Sequence, residues 1–325
     1  MKSHIKPIRI ELPTGLDVGP VNCYLFTEPE PILVDCGVGT TESWEALLAA
    51  LAQYSLTPAD LRRVVITHPH IDHSGQAAKI AALSDCQVWI ADLGYEWLVD
   101  PKKMFGLRAD YYRDHFLREA GIPKELSEMV QAYYVYVGSD TTPVPADSVQ
   151  TFKVGDWLEM GGANWQVLHM PGHARHQTCF YQPESQQFLA ADMLLHKTPT
   201  PIVERPLPNQ PRQPSLPILM ESLSRCEALE IDTVYPGHGE PFQNHRELIQ
   251  KQCQRIHRRK GETFALIQQG HHTAYDLMNQ MYAHHPPAFR FAGLWMLIGY
   301  LDLLLAEGKI GVETVDGVWR YSVNK

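Results

Sequence analysis

The densest concentration of reactive side chains is His68-Pro69-His70-Ile71-Asp72-His73, three imidazoles and a carboxylate in one short run. In extended backbone, residues two apart point the same way, so His68 and His70 can grip one ion together. A turn at Asp72-His73 then aims the next two side chains at a neighbouring ion. Imidazole suits zinc, iron or copper, while carboxylate compensates charge and accepts harder ions. A polar surface turn is the plain alternative for this run, and three later pieces weigh against it. Met170-Pro171-Gly172-His173, Ala190-Ala191-Asp192 and Tyr235-Pro236-Gly237-His238-Gly239 each place a His or Asp just after a strand-like run. Pro-Gly is ordinary turn chemistry, so each is weak alone. Together they supply the donors that a two-ion site still lacks.

The elements around these motifs read as alternating strands and helices. IRIEL, NCYLF and PILVDCG are short β-like runs separated by Gly, Pro and Asn turns. Trp44, Leu47, Leu48 and Leu51 fall at i, i+3, i+4 and i+7, an amphipathic helix. RRVVIT is a buried strand that delivers HPHIDHSG at its C-terminal end, followed by a helix over GQAAKIAAL and a strand at QVWIA. Residues 94–140 form an insertion, rich in Tyr and charge and helical in pattern. Strands resume with TFKVGDWLEM, ANWQVLHM, CFYQ and QFLAAD. A Pro-rich stretch at about 197–217 reads as a long loop. Helix LMESLSRCEAL and strand DTVYP then lead to GHGE. The pattern divides the chain into a catalytic domain at 1–244 and a C-terminal domain at 245–325. The latter holds three helices, one capped by Thr273, and a hairpin around Asp316-Gly317, which is the outline of a winged helix.

Composition narrows the function classes. Six Cys (23, 36, 86, 179, 226, 253) are scattered without a C-x-x-C pair, so reduced thiols and a cytoplasmic setting are expected. The start, MKSHIKPIRIELPTG, lacks the apolar run of a secretory signal. Phe291–Ala306 is apolar but short of the ~20 residues that span a bilayer, and it carries Asp302, so it reads as a buried helix with no membrane role. Residues 1–244 hold 18 Lys/Arg against 30 Asp/Glu, a net of −12, and residues 245–325 hold ten against seven, a net of +3. An acidic body argues against a nucleic-acid partner, since phosphate contacts come mainly from Lys and Arg.

THPHIDHSG, MPGHA, AAD and YPGHGE resemble the ordered motifs of the metallo-β-lactamase superfamily, over about residues 8–244. That resemblance implies an α/β fold, the αββα sandwich, with the site at one edge. It implies one ion bound by His68, His70 and His173, a second by Asp72, His73 and His238, and Asp192 bridging them. Zinc is the first expectation, with iron or manganese as alternatives. Two positions depart from the family pattern: Ala191 stands where Gly is usual before the bridging Asp, and Asp35-Cys36-Gly37 where Asp-Thr-Gly is usual. The basic helix, TAYDL and LLLAEGKI…VDGVWRY resemble the winged-helix tail of the beta-lactamase-like protein 2 branch, which includes thioesterases on carrier-bound acyl chains and an RNA-cleaving enzyme.

Two divalent ions bring a shared water to a hydroxide near neutral pH, so no serine or cysteine nucleophile is required. Asp72 is the expected catalytic side chain, orienting that hydroxide while ligating the second ion. The leading substrate is a thioester, ester or lactone, small or carrier-bound. The alternative is a phosphodiesterase on single-stranded RNA using Lys251, Arg255, Arg258, Arg259 and Lys260, a cluster that reads first as a solvated helix face. A DNA-binding regulator is the third reading, but LWMLIGYLDLL offers almost no polar side chains for base edges. Packing or homodimerisation through that helix fits better. His176 is read as a residue supporting a ligand, a substrate contact or a structural His, and His196 as a residue that could face the site but more readily does not. Asp35 is expected to anchor a turn and orient a ligand loop. His271-His272 and His284-His285 read as polar surface. Tyr111, Tyr112, Tyr133, Tyr134 and Tyr136 form a helical packing stripe or, alternatively, a cap over the site.

Overall fold

The computed structural model describes residues 6–16, 18–196, 212–285, 290 and 293–324. Two sheets face each other. The first runs β1 (Ile8–Leu12), β2 (Val21–Phe26), β3 (Ile32–Val34), β4 (Arg63–Ile66), β5 (Gln87–Ala91) and β6 (Val149–Phe152), in that order. It is antiparallel through β3 and parallel from β3 to β6. The second contains β7 (Trp157–Met160), β8 (Ala163–His169), β9 (Thr178–Gln182), β10 (Gln187–Ala191) and β11 (Thr233–Pro236), in the order β11-β10-β9-β8-β7. TFKVGDWLEM, read from sequence as one strand-like segment, is therefore two strands in different sheets. Lys153, Val154, Gly155 and Asp156 make the crossover, with Gly155 at φ +90° where a side chain would be strained.

Strand alternation sorts side chains between the layers. Along β4, Val65 enters the space between the sheets with Phe26, Val34, Trp165, Phe180 and Leu189, while Val64 and Ile66 face outward. That outer face is covered by α1 (Thr41–Ala52) and α3 (Ala77–Ala81), while the one-turn α2 (Ile71–Ser74) between them turns Ile71 toward a separate cluster. Leu47 and Leu51 of the expected stripe are fully buried, and Leu48 at its margin is exposed. Thr40 caps α1 by accepting the N–H of Ser43.

The outer face of the second sheet carries a larger helical layer. The insertion opens with α4 (Tyr95–Val99), whose Leu98 packs instead with Val88 and Ile90 on the outer face of the first sheet, and then supplies α5 (Pro101–Tyr111), a wide turn at Tyr112–Phe116, α6 (Leu117–Glu119) and α7 (Lys124–Asp140). The rest comes from α8 (Ser215–Glu227), α9 (His245–Gln268), α10 (Ala274–Met281) and α11 (Leu294–Ala306), followed by the hairpin β12 (Ile310–Val315) and β13 (Val318–Val323). Helix α8 begins inside the stretch read as a Pro-rich loop, because Pro217 sits in its first turn, where the missing N–H costs nothing. Residues 197–211 of that expected loop lie outside the described residues. One apolar cluster joins Phe188 and Val234 of the sheet to Leu219 of α8, Ile249 and Ile256 of α9 and Leu297, Ile298 and Leu301 of α11. Tyr112 and Phe116 of the insertion stack on Trp295 of α11, each with ring centroids 5.2 Å apart. The expected boundary at 244 is thus spanned by a single continuous core.

No described helix is long and apolar enough to cross a membrane. All six cysteines are free thiols, and all but Cys253 are buried.

Candidate metal centre

The seven residues singled out in the sequence converge at one edge of the sandwich. His68 to His73 follow β4, His173 lies in the β8–β9 turn, Asp192 follows β10 and His238 follows β11. Carboxyl ends of parallel strands gather at such an edge, so separate loops can meet there. Thr178 at the start of β9 ties the two sheets together beside the site, its N–H and hydroxyl both donating to the Thr67 carbonyl.

Three sets of donor atoms lie within 4.8 Å of one another: His68, His70 and His173; His68, His73 and Asp192; and Asp72, His73 and His238. Nδ1 of His70 lies 3.0 Å from Nε2 of His68 and 2.9 Å from Nε2 of His173. One ring nitrogen has a single lone pair or a single proton to share between two neighbours, so hydrogen bonding fills that space poorly. On the other side, Nε2 of His238 is 3.4 Å from Oδ2 of Asp72 and 3.5 Å from Oδ2 of Asp192. Nε2 of His73 is 3.4 Å from Oδ1 of Asp192. His73 Nε2, His238 Nε2 and Asp192 Oδ1 are buried and make no hydrogen bond of normal geometry among the described residues. Imidazoles and carboxylates left this way, deep in a protein, fit cations held among them.

The surroundings fix the tautomers. Nδ1 of His73 donates to Oδ2 of Asp35 at 2.8 Å, and Nδ1 of His238 donates to the Pro20 carbonyl at 2.7 Å. The hydroxyl of Thr67 donates to Asp35, so it accepts from Nδ1 of His68 at 3.0 Å. Each of these three rings then turns Nε2 toward the cluster, the form that ligates. Burial opposes the charged form of His73, but Asp192, Asp35 and Asp72 outweigh it and hold the imidazolium well above its ordinary range. Burial likewise opposes charge on His238, yet Asp192 and Asp72 raise it to about 9. Asp192, despite burial, is held well below the usual carboxylate range by His73 and His238. Without metal, the pocket is a proton-binding network of opposed charges.

Sequence reading missed several of the positioning groups. Asn22 is fully buried and donates to the carbonyls of Pro236 and Gly239, clamping the loop that carries His238. Its burial, inside an apparently ordinary strand, left no sequence signal. Thr67 and the Pro20 carbonyl were equally silent. Ala191, in place of the usual Gly, holds φ +44°, a left-handed backbone that Gly adopts without cost.

The remaining candidates separate. Asp35 does anchor its turn and orients His73, as expected. His176 is buried with its ring 5.9 Å from that of Trp97. His196 is exposed, stacks on Phe242 with ring centroids 5.0 Å apart, and is not among the residues that line the cavity or form the donor sets. His271 bonds Asp276 and His272 donates to the Tyr321 carbonyl, while His284 and His285 are exposed. The tyrosines divide between both readings. Tyr112 is core, whereas Tyr133 and Tyr134 line a cavity of about 200 Å³ that opens on the cluster. Its floor is His70, Asp72, His173 and Asp192; its walls are Leu16, Val18, Ile71, Phe105, Tyr133, Tyr134 and Val137.

Residues 16–238 match the model of the metallo-beta-lactamase superfamily. The chain belongs to that superfamily. Among curated relatives it is 28% identical to the "Probable metallo-hydrolase YqjP" of Bacillus subtilis, covering 93% of each chain. It is 25% identical to a beta-lactamase-like protein 2 homolog of Caenorhabditis elegans, over 95% of this chain and 90% of that one. It is 23% identical to an atrochrysone carboxyl ACP thioesterase of Aspergillus fumigatus, over 79% of this chain and 62% of that one. A metallo-beta-lactamase family protein from Thermus thermophilus has the same fold, with a TM-score of 0.80, 24% identity and 98% of both chains covered. The chain is accordingly a metal-dependent hydrolase whose His/Asp cluster fits a dinuclear site.

Proposed function

We propose that this hydrolase cleaves an acyl substrate, a thioester, ester or lactone, with two divalent ions, zinc in the first instance. The carrying observation is the apolar cavity set directly on the His/Asp cluster, walled by Leu16, Val18, Ile71, Phe105 and Val137. Such a wall suits an acyl group, and none of its described residues is a cation that would pair with a phosphate. In this reading His68, His70 and His173 would hold one ion, Asp72, His73 and His238 would hold the other, and Asp192 would serve both. When bound, the ions supply a Lewis acid for the attacked carbonyl and lower the pKa of water to near neutrality. Asp72 lines the cavity floor and stands with His73 and His238, so its carboxylate would help to hold an ion there and would orient the attacking water by accepting its hydrogen bond. The water oxygen joins the acyl carbon, the C–S or C–O bond breaks, and the thiol or alcohol leaves with a proton. The kinship with a thioesterase supports the same class.

The RNA reading is weakened by pairing within the chain. Lys251 pairs with Glu247, Arg258 and Arg259 with Glu262, and Lys260 with Glu307. Lys260 is thereby taken up within the fold, while the exposed pairs of Lys251 and Arg258 are weak and Arg258 and Arg259 share one carboxylate, so the pairing lessens the charge available to phosphate without removing it. The regulator reading is weakened because α11 is almost wholly buried in the helical core, leaving no face for a groove. A hydrolysis screen of acyl thioesters, esters, lactones, phosphodiesters and single-stranded RNA, run with metal analysis, tests the assignment. Turnover confined to acyl substrates is expected, and turnover confined to RNA would replace it.

A further inference from the structure

We infer that the cavity above the cluster is a size-limited acyl pocket. It admits a neutral, apolar group of about six to eight carbons, and Tyr134 and Val137 set the limit. This rests on the acyl-hydrolase reading. Size comes first: the cavity measures about 200 Å³, somewhat larger than the ~150 Å³ apolar cavity that binds benzene. A single ring with a short arm or a short chain fills it, and a long chain does not. Charge comes second. Apart from the clustered His and Asp side chains of the floor, no described lining residue is charged, so an acyl group carrying its own carboxylate or phosphate would be desolvated without a partner.

The wall opposite the cluster is built on α7. Tyr134 and Val137 lie one turn apart there and share a face. Both are braced from behind. Val137 packs in a cluster with Trp97, Met104 and Phe105. The Tyr134 ring lies 5.2 Å from that of Tyr112 and 6.3 Å from that of Phe105, and the buried Arg108 guanidinium sits 5.5 Å from its centroid. A wall held by packed aromatics on two helices yields little to an oversized chain. The adjoining Tyr133 lines the cavity while 54% exposed, and so marks its mouth.

The test combines binding and turnover on the full-length, metal-loaded protein. Binding of straight-chain primary amides, from acetamide to dodecanamide, is measured by calorimetry. Hydrolysis is followed across the matching N-acetylcysteamine thioesters. Affinity and kcat/KM should each rise about threefold to fourfold per added carbon until the pocket is full, at about six to eight carbons, and then level off or fall. Val137→Ala should move that break toward longer chains. Val137→Phe should move it toward shorter ones, with Tyr134→Ala as a second enlargement should the Phe variant fail to fold. Dicarboxylic half-thioesters should be turned over at least tenfold more slowly than neutral ones of equal length. A break in binding with no thioester hydrolysis would keep the pocket and remove the acyl-hydrolase reading. Hydrolysis indifferent to chain length, with a break that neither enlargement moves, would keep the activity and overturn the inference.

Discussion

Nδ1 of His73 and Oδ2 of Asp35 are 2.8 Å apart, and the same carboxylate accepts the N–H and the hydroxyl of Thr67, each at 2.9 Å. One buried group therefore orients His73 directly and His68 through Thr67. Asp35 holds φ +58°, which Asn tolerates as well as Asp. Asp35→Asn can thus keep the turn while presenting an amide donor to His73, favouring the ring form that turns N–H toward the cluster. Metal affinity should fall about 10- to 100-fold, the usual cost of losing such a partner. Competition with a chromophoric chelator measures it, and an unchanged affinity would remove Asp35 from the design of the site.

Purified protein should carry close to two ions per chain, since seven donor residues converge in sets on two sides of Asp192. His173→Ala and Asp72→Ala should each leave about one ion and cut turnover by orders of magnitude. The melting temperature of the metal-free forms should change little, because the sandwich has its own apolar core. Elemental analysis decides the stoichiometry; one ion in the supplemented wild type would contradict the dinuclear reading.

Much of this site was legible because metal ligation demands particular residue types at strand ends, and both the types and the strands leave local marks. His68, His70, Asp72 and His73 announce themselves by spacing, while His173, Asp192 and His238 needed the repeated strand-then-loop pattern. What escaped was set by tertiary contact. Asn22 reaches residues more than two hundred positions away, and no local pattern encodes that. The division of TFKVGDWLEM between two sheets and the helical start at Ser215 failed for a similar reason. β-propensity does not report which sheet a strand joins, and a Pro reads as a breaker until its position in a first turn is known.

Gly237 stands where a Cβ would come 2.1 Å from Oδ1 of Asp192 and 3.0 Å from Cε1 of His73. Backbone must approach the cluster closely there to bring His238 in. Gly237→Ala should displace Asp192 and lower bound metal to less than one ion per chain, with a secondary loss of stability. Gly239, whose added Cβ meets nothing within 4 Å but whose φ is +84°, is the contrasting case. Its Ala variant should cost about 1 kcal/mol of stability from backbone strain with metal content preserved. Equal metal content in both variants would refute the close-approach argument.

Proton linkage gives a further prediction. In the metal-free protein His238 titrates at about 9 against an ordinary 6.5. Its folded value is raised, so its stabilising contribution is complete below about 6.5 and is lost as pH climbs through 9. Metal-free protein should therefore melt at a lower temperature at pH 9.5 than at pH 7. Metal uptake at pH 7 must expel that proton, so binding should release protons into buffer and tighten as pH rises toward 9. Calorimetry in buffers of different ionisation enthalpy reads the release directly. Uptake without proton release at pH 7 would show that the neighbouring carboxylates do not raise His238.

Truncation after Asn244 tests how far the C-terminal segment is a separate body. Ile249, Ile256, Leu297, Ile298 and Leu301 share one core with Leu216, Leu219 and Leu223 of α8 and with Phe188 of the sheet. Removing 245–325 would uncover that face, and apolar patches beyond a few hundred Å² drive association. The truncated chain should aggregate, even with metal supplied, although all seven candidate ligands remain. Charge changes should behave differently. Arg258→Gln with Arg259→Gln removes two exposed or half-buried cations that pair with Glu262, and surface pairs of this kind contribute about 0–1 kcal/mol. That variant should fold and hydrolyse acyl substrates at nearly the wild-type rate. If the segment instead bound single-stranded RNA, the same two changes would flatten a steep salt dependence, by roughly 0.7 in log–log slope for each phosphate left unneutralised. A monodisperse, metal-loaded 1–244 fragment would show that the segment is dispensable to the fold, and would return the RNA reading to contention.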